Sequence, residues 1–325
     1  MKAALCRAFG GPADIAIGEA PDPIAADDEV VIDVHAASVT YMDVLMVSGG
    51  YQMKPPLPYV PGTEAAGTVS AVGSKVTRFK PGDRVATHGW YGGMAEKFKA
   101  KEIKCVAVPP SVPFEAAATV IHSYDTAWYG LVVRAKLQKG ETIVVTGAAG
   151  GVGIATVDLA RHLGARVIGA VGSEAHAEAV RAAGAEAVVN YARENFRDRL
   201  KELGGKRGID VGFDNVGGSL FEDLARSMAW DGRLLPVGFA GGEIPKLAMN
   251  LPLLKNFSVV GIFCGAWQER EPAAALAAKE TVMRLVGEGR LRPLVGLVLP
   301  LERTREAMEA VRDRKASGRV VVKVR

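Results

Sequence analysis

Thr-Ile-Val-Val-Thr-Gly-Ala-Ala-Gly-Gly-Val-Gly-Ile-Ala-Thr, residues 142–156, decides the reading of this chain. Residues 143–146 form a short apolar, β-branched run of the kind that becomes a buried parallel strand. Residues 147–153 then turn tightly into an apolar periodic segment that reads as a helix. Strand, glycine turn and helix in this order bring backbone N–H groups at a helix N-terminus close to an anion with no Cβ in the way, and the helix dipole favours the negative charge. From Ala148 the turn reads A-x-G-x-x-G, a dinucleotide fingerprint in which Gly150 and Gly153 are kept and alanine replaces the first glycine. Ala149, Gly150, Gly151, Val152 and Gly153 are the candidate pyrophosphate cradle. Outward from it, residues 166–172 give a second strand, 174–183 a second helix and 187–190 a third strand. The turn therefore lies inside a βαβαβ unit, the context in which a dinucleotide site is built.

With 325 residues the chain is long enough for two domains and a large core. Hydrophobic residues make up 49% and charged residues 23%, ordinary for a globular protein. The net charge of +4 comes from scattered Lys and Arg, so neither nucleic acid nor an anionic membrane is called for as a partner. No run of about 18 uncharged apolar residues occurs, and residues 1–10 have too short an apolar stretch for a signal peptide, which predicts a cytoplasmic location. Cys6, Cys105 and Cys264 stand far apart and suit buried thiols in a reducing compartment.

Along the chain, residues 1–124 read as mostly β: segments 30–36, 65–72, 84–87 and 105–108 are short, rich in valine and alanine, and separated by Gly, Pro and Asp turns. From residue 126 helix and strand alternate, with further strands predicted at 211–215, 233–238 and 258–263. A helix at 273–287, a strand at 295–300, a helix from about 302 and a last strand at 320–324 close the chain. This predicts an α/β protein in which a small barrel, residues 1–124 and 266–325, is built from both ends. A doubly wound parallel-sheet domain, residues 125–265, is inserted between them.

Four motifs carry a resemblance: Val-Pro-Gly-Thr-Glu-Ala-Ala-Gly-Thr-Val at 60–69, Arg-Phe-Lys-Pro-Gly-Asp-Arg-Val at 78–85, Gly-Ala-Ala-Gly-Gly-Val-Gly at 147–153 and Asp-Asn-Val-Gly-Gly at 214–218. In this order and at these separations the chain resembles the zinc-free quinone oxidoreductases, the zeta-crystallin branch of the medium-chain dehydrogenase/reductase superfamily. The resemblance implies a GroES-like catalytic barrel, a Rossmann domain, an active site in the cleft between them, and a homodimer or tetramer joined through the Rossmann sheets.

A catalytic zinc needs about three Cys, His or carboxylate ligands. The positions matching the ligands of zinc-dependent relatives hold Thr40, Thr63 and His122, and two hydroxyls do not replace a thiolate and an imidazole; no metal is expected. Without a Lewis acid, the chemistry shifts to acceptors whose own conjugation stabilises the negative charge.

An NAD site places Asp or Glu at the end of the second strand, where this chain has Val171, Gly172 and Ser173. No acid stands there to repel a 2′-phosphate, so NADPH is expected. By resemblance His176 stands where the relatives carry Lys, and Tyr191 matches a phosphate-side tyrosine; Arg193 and Arg319 are supplementary cations or solvated surface residues. An imidazole with its ordinary pKa near 6.5 would make NADPH binding weaken as pH rises. The resemblance also lines the nicotinamide with Val237, Gly238, Phe239, Phe263 and Gly265, the two phenylalanines being alternatively plain core residues. Opposite them it places Thr40, Tyr41 and Tyr51, and the Tyr51 phenol suits donation of a proton to a quinone oxygen or an enolate. Asp43, Glu64 and Asp83 read as charged or structural loop residues.

The expected activity is NADPH-dependent hydride transfer to a quinone or other conjugated carbonyl, a small-molecule substrate. An enoyl-CoA thioester reductase is the enzymatic alternative, and a non-catalytic NADPH-binding structural or RNA-binding protein the alternative of another class.

Overall fold

Short β-branched runs punctuated by Gly, Pro and Asp fold as strands across the whole chain, and the computed structural model describes all 325 residues. In chain order the strands are β1 (Lys2–Cys6), β2 (Ile15–Glu19), β3 (Glu29–Val39), β4 (Glu64–Val72), β5 (Arg84–His88), β6 (Lys97–Lys101), β7 (Cys105–Ala107) and β8 (Thr142–Thr146). They continue with β9 (Arg166–Val171), β10 (Ala187–Asn190), β11 (Ile209–Asp214), β12 (Met228–Pro236), β13 (Ser258–Val259), β14 (Val295–Pro300) and β15 (Arg319–Lys323). They divide between two compact units, Met1–His122 with Pro272–Arg325, and Ser123–Glu271.

In the first unit β3 is the spine: it pairs antiparallel with β4, β6 and β15. The sheet runs β14-β15-β3-β4-β5-β7, so strands from the two ends of the chain are hydrogen-bonded neighbours. Register sets Ser38 opposite both Glu64 and Val321, which brings Arg319 within reach of Glu64. Val34, Val39, Met46, Val47, Met94 and Val322 fill one core, and Val30, Ile32, Val69, Val85 and Cys105 a second one. Each fully buried aliphatic side chain contributes about 1.5–3 kcal/mol.

In the second unit all six strands are parallel, in the order β10-β9-β8-β11-β12-β13. Residues 143–145 of β8 are fully buried, which is why that strand reads as continuous apolar sequence rather than as an alternation. Helices Gly151–His162, Glu174–Ala182, Phe196–Gly204 and Gly218–Ser227 follow the first four of these strands in chain order. Phe196 and Leu200, one turn apart, are the buried face of their helix, and Asn195 starts it by accepting the Asp198 N–H at 3.0 Å.

Three expectations change. The strand expected at 258–263 is only Ser258–Val259: it is an edge strand with both side chains exposed, and after the Val260 N–H bonds Leu234 O at 2.9 Å the chain leaves the sheet. The second unit extends to Glu271 rather than 265, because helix Cys264–Arg270 packs within it: the Trp267 ring stacks on Tyr129 at 4.7 Å and Gln268 Nε2 donates to Asp125 Oδ2 at 2.7 Å. The helix expected from about 302 begins at Thr304, after a 3₁₀ turn at Leu301–Arg303. No helix is long and apolar enough to cross a membrane.

Candidate functional site

Strands β8 and β11 are neighbours at the centre of the parallel sheet, and the chain moves outward from them toward opposite edges, β9 and β10 on one side and β12 and β13 on the other. Loops at such a switch point diverge and leave a crevice at the carboxyl ends of the strands. The loop after β8 is the glycine turn. Gly150 is the N-cap of helix Gly151–His162 and no side chain caps it, so the first N–H groups of the helix are left for a ligand. Glycine is required at 153, where a Cβ would lie 2.2 Å from Gly147 O, and Gly147 itself sits at φ +59°. Ala149 is buried, Val152 half-buried and Gly150 exposed along the same turn.

The loop after β11 is the second wall, and reading the sequence as a motif alone did not assign it a role. The Asp214 carboxylate accepts the Thr146 hydroxyl and the N–H groups of Val216 and Gly217, at 3.3 and 2.9 Å. Asn215 bonds Thr146 twice, its N–H to Oγ1 at 3.0 Å and its Nδ2 to the carbonyl at 2.8 Å. These bonds tie the ends of β8 and β11 together. An Asp-Asn pair followed by two glycines at a strand end was the available signal.

At the end of β9 there is no carboxylate in line with Val171, Gly172 and Ser173. Ser173 Oγ and His176 Nδ1 are 3.0 Å apart, which fixes the half-buried imidazole on the turn below Ser173. The Tyr191 N–H bonds Val171 O at 3.1 Å, and its phenol lies over Gly172, where a Cβ would meet Oη at 2.9 Å. Ser173, His176 and Tyr191 are thus gathered at one strand end. Glu174 is also there, exposed and paired with Arg181 at 4.0 Å. Arg193 is exposed on the following loop.

Val237 and Gly238 follow β12 and both donate their N–H to Asp214 O, at 2.8 and 3.3 Å. Phe239 is 43% exposed and Phe263 65%, so neither is a core aromatic. Phe263 is the N-cap residue of helix Cys264–Arg270, in which Gly265 is the second residue. Val237 and Gly238 thus stand at the carboxyl end of β12, whereas Phe263 and Gly265 lie beyond β13, where the chain has left the sheet.

In the first unit Thr40 is the N-cap of helix Tyr41–Val47 and forms a capping box with Asp43. Thr40 Oγ1 donates to Asp43 Oδ2 at 2.6 Å and accepts the Asp43 N–H at 3.0 Å, while the Thr40 N–H donates to the same carboxylate at 2.7 Å. Its hydroxyl proton is therefore engaged. The Thr63 hydroxyl is held more loosely, 3.4 Å from both Asp43 Oδ2 and Thr40 Oγ1. Tyr41 is 44% exposed at the helix start, and Tyr51 packs half-buried against the barrel core, where burial raises its phenol above the usual range.

Asp43 and Glu64 are not loop residues. Both are buried, one in the capped helix and one opening β4, and burial raises both carboxyls above the usual range. Arg319 is neither a solvated cation nor one for a nucleotide phosphate: it is 5% exposed, and its Nη2 donates to Glu64 Oε2 at 2.9 Å and to Ser38 Oγ at 2.5 Å. Burial first and the Arg319 charge second push the His122 imidazole down to about 3, so it is neutral at physiological pH. The donor set at the positions where a zinc would be held is thus two hydroxyls and a single neutral imidazole, which do not fit the metal. Nowhere do three His, Cys, Asp or Glu side chains converge as a metal-binding group.

Residues 26–110 match the family described as Alcohol dehydrogenase GroES-like domain, and residues 151–279 that described as Zinc-binding dehydrogenase. Quinone oxidoreductase-like protein 2 of Mus musculus is 38% identical over 100% of this chain and 92% of its own length. Quinone oxidoreductase of Homo sapiens is 33% identical over 99% and 97%. Among solved structures, quinone oxidoreductase of Escherichia coli complexed with NADPH superposes with a TM-score of 0.91 at 27% identity, covering 100% of both chains. A mycobacterial protein, also complexed with NADPH, gives 0.90 at 30%, again over the whole of both chains. With both domain types in this arrangement and relatives spanning its full length, the chain belongs to the quinone oxidoreductase branch of the medium-chain dehydrogenase/reductase superfamily.

Proposed function

We propose that this protein is an NADPH-dependent reductase that delivers hydride to a quinone or another conjugated carbonyl. The observation that carries this reading is an uncapped, glycine-lined helix N-terminus at the sheet's switch point, in a chain whose barrel offers hydroxyls where metal ligands would stand. The NADPH named for the Escherichia coli and mycobacterial structures supports the choice of cofactor.

Ala149 to Gly153 would hold the pyrophosphate through backbone N–H groups. Ser173, His176 and Tyr191 would hold the adenosine phosphate, with no acid at residues 171–173 and the nearby Glu174 paired with Arg181. Val237, Gly238, Phe239, Phe263 and Gly265 would orient the nicotinamide, which when bound supplies the hydride. Tyr51, a phenol protonated at neutral pH and raised further by burial, would donate a hydrogen bond and then a proton to the reduced oxygen. Thr40 and Tyr41 would shape that side, Thr40 chiefly by fixing the helix start through Asp43. Acceptors that delocalise charge themselves fit a site with no metal ligand set to polarise an isolated carbonyl.

A homodimer joined at the β13 edge is part of this reading. The edge strand is two residues long with both side chains exposed, and Met249, Leu253 and Leu254 nearby in sequence are exposed too.

Loss of reduced-nicotinamide absorbance on adding benzoquinone, compared with crotonyl-CoA through kcat/KM, tests the substrate class. Higher kcat/KM for benzoquinone is the expected result. Turnover of the thioester alone, or a salt-sensitive shift of labelled RNA with no turnover of any acceptor, would overturn it.

A further inference from the structure

The loop after β5, Gly-Trp-Tyr-Gly-Gly at residues 89–93, carries two large aromatic side chains that the mechanism above does not use. Trp90 is 41% exposed and Tyr91 40%. The backbone beneath them is pinned: the Gly89 N–H donates to Thr63 O at 2.9 Å, the Gly93 N–H to Gly62 O at 2.8 Å and the Met94 N–H to Pro61 O at 2.9 Å. A Cβ at Gly89 would come to 3.0 Å of Phe98 Cζ, and one at Gly92, which has φ +114°, to 2.9 Å of Cε2, so the loop lies directly on the buried Phe98 ring. Tyr91 meets the buried Tyr59 edge-on, with centroids 5.7 Å apart and planes at 75°. A tightly held loop thus presents aromatic surface to solvent. It does so one residue beyond the bond to Thr63, whose hydroxyl pairs with that of Thr40.

We infer that Trp90, supported by Tyr91, selects acceptors by ring size, giving a flat face on which a fused bicyclic quinone stacks while a single ring gains little. Aromatic faces pack best in offset stacks over a large shared area, and a rigid loop offers such a face without an ordering cost. Single-ring and flexible thioester acceptors lack the second ring that would cover it. This inference rests on the reading of the site as a quinone reductase.

The test measures kcat/KM for naphthoquinone and benzoquinone with the wild type, Trp90→Ala and Trp90→Phe. Trp90→Ala should lower the naphthoquinone value about tenfold, through KM rather than kcat, and change the benzoquinone value by less than about twofold; Trp90→Phe should restore most of the loss. Equal losses for both quinones, or none for naphthoquinone, would overturn it. If the wild type reduces neither quinone, the functional reading fails. Calorimetric binding of naphthoquinone to the NADP⁺-loaded wild type and to Trp90→Ala then decides this inference separately, weaker binding in the variant supporting it and equal binding refuting it.

Discussion

Replacing Arg319 with methionine should strand a buried carboxylate. Glu64 is 0% exposed and Arg319 5%, and the guanidinium lies 2.9 Å from Glu64 Oε2. At an effective dielectric of about 20 that separation corresponds to about 6 kcal/mol of gross attraction, much of it offset by the desolvation of both groups. Removing one partner of such a pair costs about 3–5 kcal/mol, because the remaining charge stays buried. Glu64 keeps the Ser38 hydroxyl at 2.8 Å and the His122 N–H at 3.0 Å, which places the expected loss near the low end, about 3 kcal/mol at neutral pH.

The pH dependence has a definite sign. Burial already raises the Glu64 carboxyl against the opposing pull of Arg319, and without the arginine it rises further. A carboxyl raised in the folded state binds more protons folded than unfolded, so the penalty shrinks as pH falls through that raised pKa. His122 acts in the other direction in the wild type: held at about 3, partly by Arg319, it opposes folding as pH falls below the ordinary imidazole range. Removing Arg319 relaxes this as well. Urea denaturation of the wild type, Arg319→Met, Glu64→Gln and the double variant, at about pH 7 and about pH 5, measures both effects. The double variant should be about 2 kcal/mol more stable than Arg319→Met at neutral pH, and the Arg319→Met penalty should be smaller in acid. NADPH affinity should stay within about twofold of wild type, since Arg319 is bonded inside the barrel. A loss below about 1 kcal/mol, strict additivity in the double variant, or an equal penalty at both pH values would refute the reasoning.

Gly153→Val should lower NADPH affinity about a hundredfold, as measured by fluorescence titration, because a Cβ 2.2 Å from Gly147 O forces the cradle open and displaces several N–H donors. His176→Ala should weaken NADPH binding in calorimetric titrations, because the imidazole held by Ser173 at the end of β9 is lost. Tyr51→Phe should reduce kcat for quinone reduction about a hundredfold with KM little changed, if the phenol supplies the proton. Leu253→Asp should convert the expected dimer to monomer in analytical ultracentrifugation, as a charge is buried where an exposed apolar edge would be covered.

The parallel-sheet unit was legible in the sequence because its signals are local. Residues 143–146 are continuous β-branched sequence since both faces of β8 are covered, and Gly153 is glycine because a carbonyl occupies the Cβ position. The absence of an acid after Val171 can be read by counting. Edge behaviour cannot: residues 258–263 look like a full strand, yet only Ser258 and Val259 pair, since apolar sequence does not reveal whether a neighbour exists on both sides.

Long-range pairing decided what sequence could not. Arg319 and Glu64 are separated by 255 positions, and only the register of β15 on β3 and of β3 on β4 brings them together, turning an apparent surface cation into a buried partner. By resemblance Thr40 stands opposite the nicotinamide, but the capping box with Asp43 claims its hydroxyl proton, and the Thr63 hydroxyl beside it is the looser of the two. By itself the sequence determined the fold class and the glycine turn that follows β8, both of which depend on residue type and short spacing. Which charges are buried, which hydroxyls are free and which aromatics remain exposed was decided by tertiary structure alone, because burial and pairing depend on strands brought together from opposite ends of the chain.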